Sequence, residues 1–406
     1  MEINYERCCG IDVHKKVIVA CLIRGGKQEL RRFGTTTKEL RELSAWLLEA
    51  KCQMIAMEST ASYWKPLYNI FELSGLEAMV VNAQHMKAVS GRKTDVKDAE
   101  WIADLLRHGL LKASYIPDRE QRELREIARY RKSLIEEPSR EINRLQKMLE
   151  GANVKLASVV SNINGKSSRR LLEEMIQQEK LEEEQIVALL HPNMYSKVPE
   201  IMKAVDGVLS ALQRRLLRNI LDHIDDMTKR IGDMDKLIKD YLGEYETAIA
   251  ALDEIPGVGR TSAETILAEI GLDMSRFPTA GHLCSWAGVA PGNHESAGKK
   301  KSGKTTHGNK ALKAMLSQCA KAAKNVKSCF YSSQYQRIAM RRGSNRATIA
   351  VAHSILIAIY HMLKTGTAYR ELGPEYYNQF NQEKKIGAYL KKLAALGWKP
   401  PTTAMA

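Results

Sequence analysis

The stretch GIDVHKKVIVACLI, residues 10 to 23, sets the fold of the chain's first third. Apolar and β-branched residues recur with period two on either side of the polar HKK, so it reads as a strand, a turn and a second strand, with His14 a turn residue. TTTKELRELSAWLLEAK, from Thr35, follows as a helix with Thr37 as its expected N-cap and Leu40, Leu43, Trp46 and Leu47 on one face. QMIAMEST (53–60) reads as a short buried strand, YWKPLYNIFELSG (63–75) as a helix and LEAMVVNAQ (76–84) as another strand. Strands alternating with helices imply an α/β sheet covered on both sides.

Past Pro117 the character changes: charge rises, Gly nearly vanishes and long helical periods begin. Leu124, Ala128, Ile135, Ile142, Leu145 and Leu149 form one apolar stripe, and Pro138 is expected to kink that helix or start a new one. Ile220, Ile224, Met227, Ile231, Met234 and Ile238 form a second, in the alternating four-and-three spacing of a heptad seam. The two read as arms of a coiled coil, or equally as core stripes of a helical bundle, with polar residues 151–200 as a tip between them. IPGVGRTSAETILAEIG (255–271) has the Pro-Gly-x-Gly turn of a helix-hairpin-helix element, in which backbone amides around Gly257 and Gly259 face a phosphate. Helical stretches continue to about Leu363; the tail beyond Gly373 shows no assignable pattern.

Composition narrows the function classes. At 406 residues two or three domains are expected, and a 44% hydrophobic share is ample to fold them. The start, MEINYERCCGIDVHKK, carries charges where a signal peptide needs its apolar stretch, and no run of eighteen uncharged apolar residues occurs, so a cytoplasmic protein without membrane attachment is expected. Seven cysteines without a CxxC pair or a His at zinc-ligand spacing fit a reducing compartment and argue against zinc. The formal charge is +15, and between Pro291 and Arg346 stand thirteen Lys or Arg against one acid, Glu295. That clustering, interleaved with Gly, Ser and Thr, calls for a polyanion, of which nucleic-acid phosphate is the commonest.

Four acids in the first region carry chemistry. Asp12 sits inside an apolar strand, where an ionised carboxylate is costly unless something cationic meets it, and Glu58 closes MIAMEST in the same way. Asp95 and Asp98, in GRKTDVKDAEWIADLLRHG (91–109), are three positions apart and share one face of a helix. Each alone reads as a cap or a strand-end acid. Together they have the layout of a ribonuclease-H-like nuclease core, in which two Mg2+ ions clamp the attacking and leaving oxygens of a phosphodiester displacement.

GIDVHKK, MESTASYWKPLY and GRKTDVKDAEWIADLLRHG resemble the RuvC-like N-terminal domain of the DEDD insertion-sequence transposases of the IS110 family, and within it the eleven-eleven branch. IPGVGRTSAETILAEIG, CSWAGVAPGNHESAGKKKSGKTTHGNKAL and RRGSNRATIAVAHSILIAIYHMLKTGTAY resemble that family's C-terminal transposase domain. The resemblance implies an α/β RuvC-like catalytic domain over 1–115 and a coiled-coil helical region over 116–250. It implies a helical transposase domain over 251–372 and leaves a tail over 373–406. It implies a metal tetrad of Asp12, Glu58, Asp95 and Asp98, loaded with Mg2+ or with Mn2+ as a substitute. Ser296, which by composition alone reads as a phosphate-binding hydroxyl, becomes under the resemblance the nucleophile that attacks DNA, with Ser302 as fallback. Lys299, Lys300, Lys301, Lys304, Lys310, Arg341, Arg342 and Arg346 neutralise phosphates, and these contacts carry no base code. The resemblance further implies donor and target DNA as substrates, a structured noncoding guide RNA, and homodimers joined into a tetramer. Two other readings stay open on the residues: a junction-resolving nuclease in which metal-activated water attacks, and a non-catalytic nucleic-acid scaffold.

Overall fold

In a computed structural model the described residues are 2–59, 61–81, 95–292, 294–296, 299–302, 304–305, 307–379 and 382–398. Contacts divide the chain into two compact units, Met1–Asp118 and Arg119–Ala406.

The first unit is built on strands β1 (Arg7–Val13), β2 (Ile18–Arg24), β3 (Lys27–Phe33), β4 (Met54–Glu58) and β5 (Ala78–Val81), in sheet order β3-β2-β1-β4-β5. β1, β2 and β3 are antiparallel neighbours, whereas β1, β4 and β5 run parallel. Helices α1 (Thr37–Glu49) and α2 (Trp64–Leu73) cover one face and α3 (Asp95–Arg107) the other. Cys9, Ile11, Val13, Ile55, Met57 and Val80 pack with Leu43, Leu47, Leu67 and Phe71. Cys8, Cys21, Ile23 and Ala56 pack with Ala99, Ile102, Ala103 and Leu106. Strand alternation thus gives each sheet face its own helices.

Two local expectations change. The N-cap of α1 is Thr36, not Thr37, because Thr36 and Glu39 at N3 close a reciprocal capping box. β3 was not expected from its residues, KQELRRF, which are almost all exposed. It is an edge strand turned back on β2 through Gly25 and Gly26, both at positive φ as a two-residue type I′ hairpin requires.

In the second unit α4 (Arg119–Gly151) and α9 (Ala211–Tyr241) form an antiparallel helical pair. Arg131 meets Asp235, and Leu145 and Leu149 share a core with Leu217, Ile220, Leu221, Ile224 and Met227. The residues between them fold as α5 (Leu156–Val159), α6 (Lys166–Gln177), α7 (Glu183–Leu189) and α8 (Val198–Val205), which close that core. α4 is one helix with Pro138 inside it, neither restarted nor ended there. Its buried stripe includes Arg131, Leu134 and Glu141, while Ile135 is 46% exposed. The shift of one residue follows from Arg131, which occupies the stripe to meet Asp235 on α9 and Glu264 beyond it.

The chain continues through α10 (Glu246–Asp253), α11 (Arg260–Ile270) and α12 (Ala280–Trp286) to a small antiparallel ribbon, β6 (His294–Ser296) and β7 (Lys299–Ser302). α13 (Lys310–Ala323), α14 (Phe330–Arg342), α15 (Ser344–Thr365), α16 (Tyr376–Gln379) and α17 (Gln382–Ala395) complete it. By length and composition α15 could cross a membrane. Its apolar residues Val351, Ile355, Leu356 and Ile359 are buried, as in the core helix of a helical domain.

Candidate active site

The carboxylates of the first unit are placed by sheet register. Ile11 of β1 lies opposite Met57 of the parallel strand β4, so Asp12 and Glu58 follow side by side where those two strands approach their ends. Alternation turns both toward the face covered by α3, the face of Cys8 and Ala56. α3 lies directly on that face because residue 10 is glycine. A Cβ there would stand 2.2 Å from the Ala103 nitrogen and 2.4 Å from the Ala99 oxygen. The Cys8 thiol reaches the Ala103 carbonyl, so α3 runs back along β1 as β1 runs forward. Asp98, half-buried, flanks the stripe of Ala99, Ile102 and Leu106. Asp95 opens the helix one turn before Ala99; its side chain lies outside the described residues.

Asp12 is 4% exposed. Its Oδ2 is 2.9 Å from His14 Nε2, and since a carboxylate only accepts, the imidazole donates. His14 does sit in the β1–β2 turn, with its amide on the Val17 carbonyl, but it also holds the acid. The HKK turn carried no signal for that second role.

The donor set is carboxylate oxygen, the hard type that Mg2+ takes. Asp12 and Glu58 are neighbours on one face, with the first turns of α3 above it. These residues fit a magnesium site, although among the described residues no three His, Cys, Asp or Glu side chains are gathered to hold an ion.

The second unit carries the serine. β6 and β7 form a hairpin in which Ser296 pairs with Lys299 at the tip and Ser302 pairs with His294 lower down. Residues 297 and 298, and the side chains of Ser296, Ser302 and Lys299 to Lys301, are outside the described set. The hairpin's root is described: Pro291 bridges Thr305, the Gly292 amide donates to the Lys304 carbonyl at 3.0 Å, and Lys313 Nζ donates to Thr305 Oγ1 at 2.6 Å. Lys304, Lys310, Arg341, Arg342 and Arg346 are exposed.

The Pro-Gly-x-Gly turn joins α10 to α11. Gly257 is at φ +87, and a Cβ on it would come within 2.5 Å of the Cys319 oxygen and the Ala323 nitrogen of α13. Both its left-handed backbone and its packing against α13 therefore call for glycine. Nothing lies within 4 Å of a Cβ built on Gly259, the N-cap of α11.

Known family models match both parts of the chain. A DEDD-type transposase family model named for IS110 matches residues 9–154, and the model described as "Transposase IS116/IS110/IS902 family" matches residues 249–336. The chain belongs to the IS110 family of transposases. The first match takes in all four acids; the second takes in the Pro-Gly-x-Gly turn and the Ser296 hairpin of this IS110-family chain. A relative, "Insertion element IS110 uncharacterized 43.6 kDa protein" from Streptomyces coelicolor, is 26% identical over 318 residues, 70% of this chain and 73% of the relative.

Proposed function

We propose that this transposase cuts and rejoins DNA strands through Ser296, assisted by a divalent-metal site on Asp12, Glu58, Asp95 and Asp98. The observation that carries the reading is the side-by-side placement of Asp12 and Glu58 on the α3-covered face of a ribonuclease-H-like sheet. Asp12 is buried and Glu58 half-buried, and an apolar sheet has no structural need for carboxylates side by side on adjacent strands, where desolvating them is costly. Bound there, Mg2+ would polarise the scissile phosphate and stabilise charge on its oxygens.

The chain's own residues do the rest. Ser296 Oγ attacks phosphorus, the Oγ–P bond forms as the bond from phosphorus to one deoxyribose oxygen breaks, and the strand is carried as a phosphoserine diester. Attack by the hydroxyl of another strand reverses the step and regenerates Ser296. The proton that leaves Oγ is matched by the one taken up by the departing sugar oxygen, so no net proton or external energy is needed. Lys299, Lys300, Lys301, Lys304 and Lys310 neutralise the backbone around the hairpin, with Arg341, Arg342, Arg346 and the turn at Gly257 and Gly259 as further phosphate contacts.

Positive charge reads no sequence. The resemblance supplies the selector: a noncoding RNA from the element pairs with donor and target DNA, as guides do elsewhere. A homodimer paired into a tetramer in the bacterial or archaeal cytoplasm completes the proposal. The test is a nicked suicide substrate with Mg2+, which should trap the protein on DNA. Ser296→Ala should abolish the adduct and Asp12→Asn should suppress it, both with DNA binding retained. Cleavage without any adduct would move the reading to attack by water, and adducts that persist in Ser296→Ala would end the serine assignment.

A further inference from the structure

α11 buries one acid almost completely, beside Ile266, Leu267, Ala268 and Ile270. Glu269 is 1% exposed, and three side chains converge on it. Arg129 Nε donates to Oε1 at 2.6 Å and Arg129 Nη2 to Oε2 at 2.8 Å, a bidentate fork. Arg125 lies 3.4 Å from Oε2 and also donates to the Glu269 backbone carbonyl. Asn309 Nδ2 donates to the same Oε2 at 2.6 Å. Both arginines belong to α4, the first long arm, whereas Asn309 is where the chain returns from the Ser296 hairpin into α13.

Asn309 is fixed in every other direction as well. Its Oδ1 caps α13 by accepting from the Ala311 and Leu312 amides, each at 3.1 Å. Its own amide donates to the Trp286 carbonyl at 3.0 Å, on the segment that leads out to the hairpin. Gly308 beside it is so close that a Cβ would stand 2.3 Å from the Gly288 nitrogen. The two legs of the hairpin are thus pinned together at residues 286–288 and 308–309, and that joint is tied through one carboxylate to the arm.

We propose that Glu269, with Arg129 and Asn309, is a positioning centre that fixes the hairpin's direction relative to α4 and so places Ser296. Hydrophobic residues of similar volume often replace a buried ion pair with no loss of stability, so cohesion alone does not call for charge here. Direction does. Ser296 lies in β6, outward of the Pro291–Thr305 root, and a strand rises about 3.4 Å per residue, so a tilt at the root grows into a displacement at Ser296. A displacement of about 1 Å at a reacting group can cost about 100-fold in rate.

The effect on rate rests on Ser296 being the nucleophile; the effect on the hairpin does not, and the experiment separates them. In full-length protein, Asn309→Asp keeps the cap but sets a second carboxylate against Glu269. Glu269→Gln combined with Asn309→Asp restores a pair, with the Gln amide donating to the Asp carboxylate and its oxygen accepting from Arg129. Hydrogen exchange across residues 292–305 should quicken in Asn309→Asp and slow again in the double variant. Adduct formation at saturating nicked DNA should fall by about 10- to 100-fold and largely recover. DNA affinity should hold throughout. Where Asn309→Asp fails to fold, Asn309→Ser, which retains a capping oxygen but no donor, takes its place with the same expectation. Unchanged exchange in a folded single variant, or a double variant no better than the single, overturns the proposal. A wild-type protein that forms no adduct while the exchange pattern follows expectation overturns the serine reading and leaves the positioning centre standing.

Discussion

Gly10 is the residue on which the first unit's site depends most. A methyl group there would overlap three backbone atoms of α3, none of which can rotate away, so the helix that carries Asp95 and Asp98 must lift from the strand that carries Asp12. Gly10→Ala is expected to lower stability in urea by about 1–3 kcal/mol, the usual cost of overpacking, and to abolish strand cleavage even where the protein still folds. The cysteines behave as small apolar side chains. Burial pushes the thiols of Cys8, Cys21 and Cys284 up to about 12 and that of Cys52 up to about 11. Unfolded thiols ionise near their ordinary value of 9.0 while the folded ones keep their protons, so the native state binds more protons between those limits. Stability is therefore fully present below about pH 9 and should decline as pH rises toward 12, which denaturant titrations at stepped pH will show. A protein equally stable at pH 7 and pH 10.5, about midway through that window, would contradict this burial. Asp12 and Glu58 were legible as residues because an acid in an apolar run is anomalous wherever it sits. Glu269 was just as anomalous on α11, yet its partners lie far along the chain in Arg129 and Asn309, and no local pattern connects them.

At the scale of elements, legibility followed periodicity. β1, β2, β4, β5, α1 and α2 announced themselves through regular apolar spacing, because each buries a face against the core. β3 buries little, and both it and the β6–β7 hairpin are rich in charge; what defines them is pairing with a neighbour, which leaves no mark in hydrophobic rhythm. The Gly25-Gly26 turn was the available signal for β3. Pro138 shows the opposite case, a strong local signal overruled by its surroundings. It takes an amide donor out of α4 and crowds the carbonyl of Leu134, yet the helix runs on because Leu134, Glu141, Leu145 and Leu149 are buried along it. A proline in a helix interior costs about 3 kcal/mol relative to alanine, and packing along α4 offsets part of it. Pro138→Ala is thus expected to raise the unfolding free energy by about 1–3 kcal/mol, read as a higher melting temperature with an unchanged far-ultraviolet spectrum. A lower melting temperature would mean that the arm needs the proline's irregularity for its fit to α9.

For the whole molecule, charge placement carries the functional argument. Of the formal +15, most lies between Pro291 and Arg346, a segment that the fold distributes over the hairpin, α13, α14 and the start of α15. Arg341 and Arg342 end α14 and Arg346 sits in the first turn of α15; all three are exposed, and among the described residues none is in an ion pair. Exposed guanidinium groups outside any ion pair are available to phosphate. Each phosphate neutralised on duplex DNA releases condensed counterions, which makes affinity fall with salt by about 0.9 logarithmic units per contact. Replacing Arg341, Arg342 and Arg346 together by Gln should therefore weaken binding to DNA of any sequence and reduce the slope of log affinity against log salt by about 2–3. The melting temperature should stay where it was. The slope separates this reading from base recognition: if the triple variant bound random DNA with an unchanged salt dependence but lost preference among sequences, these arginines would be reading bases, and the assignment of selectivity to a paired guide strand would lose its main physical support.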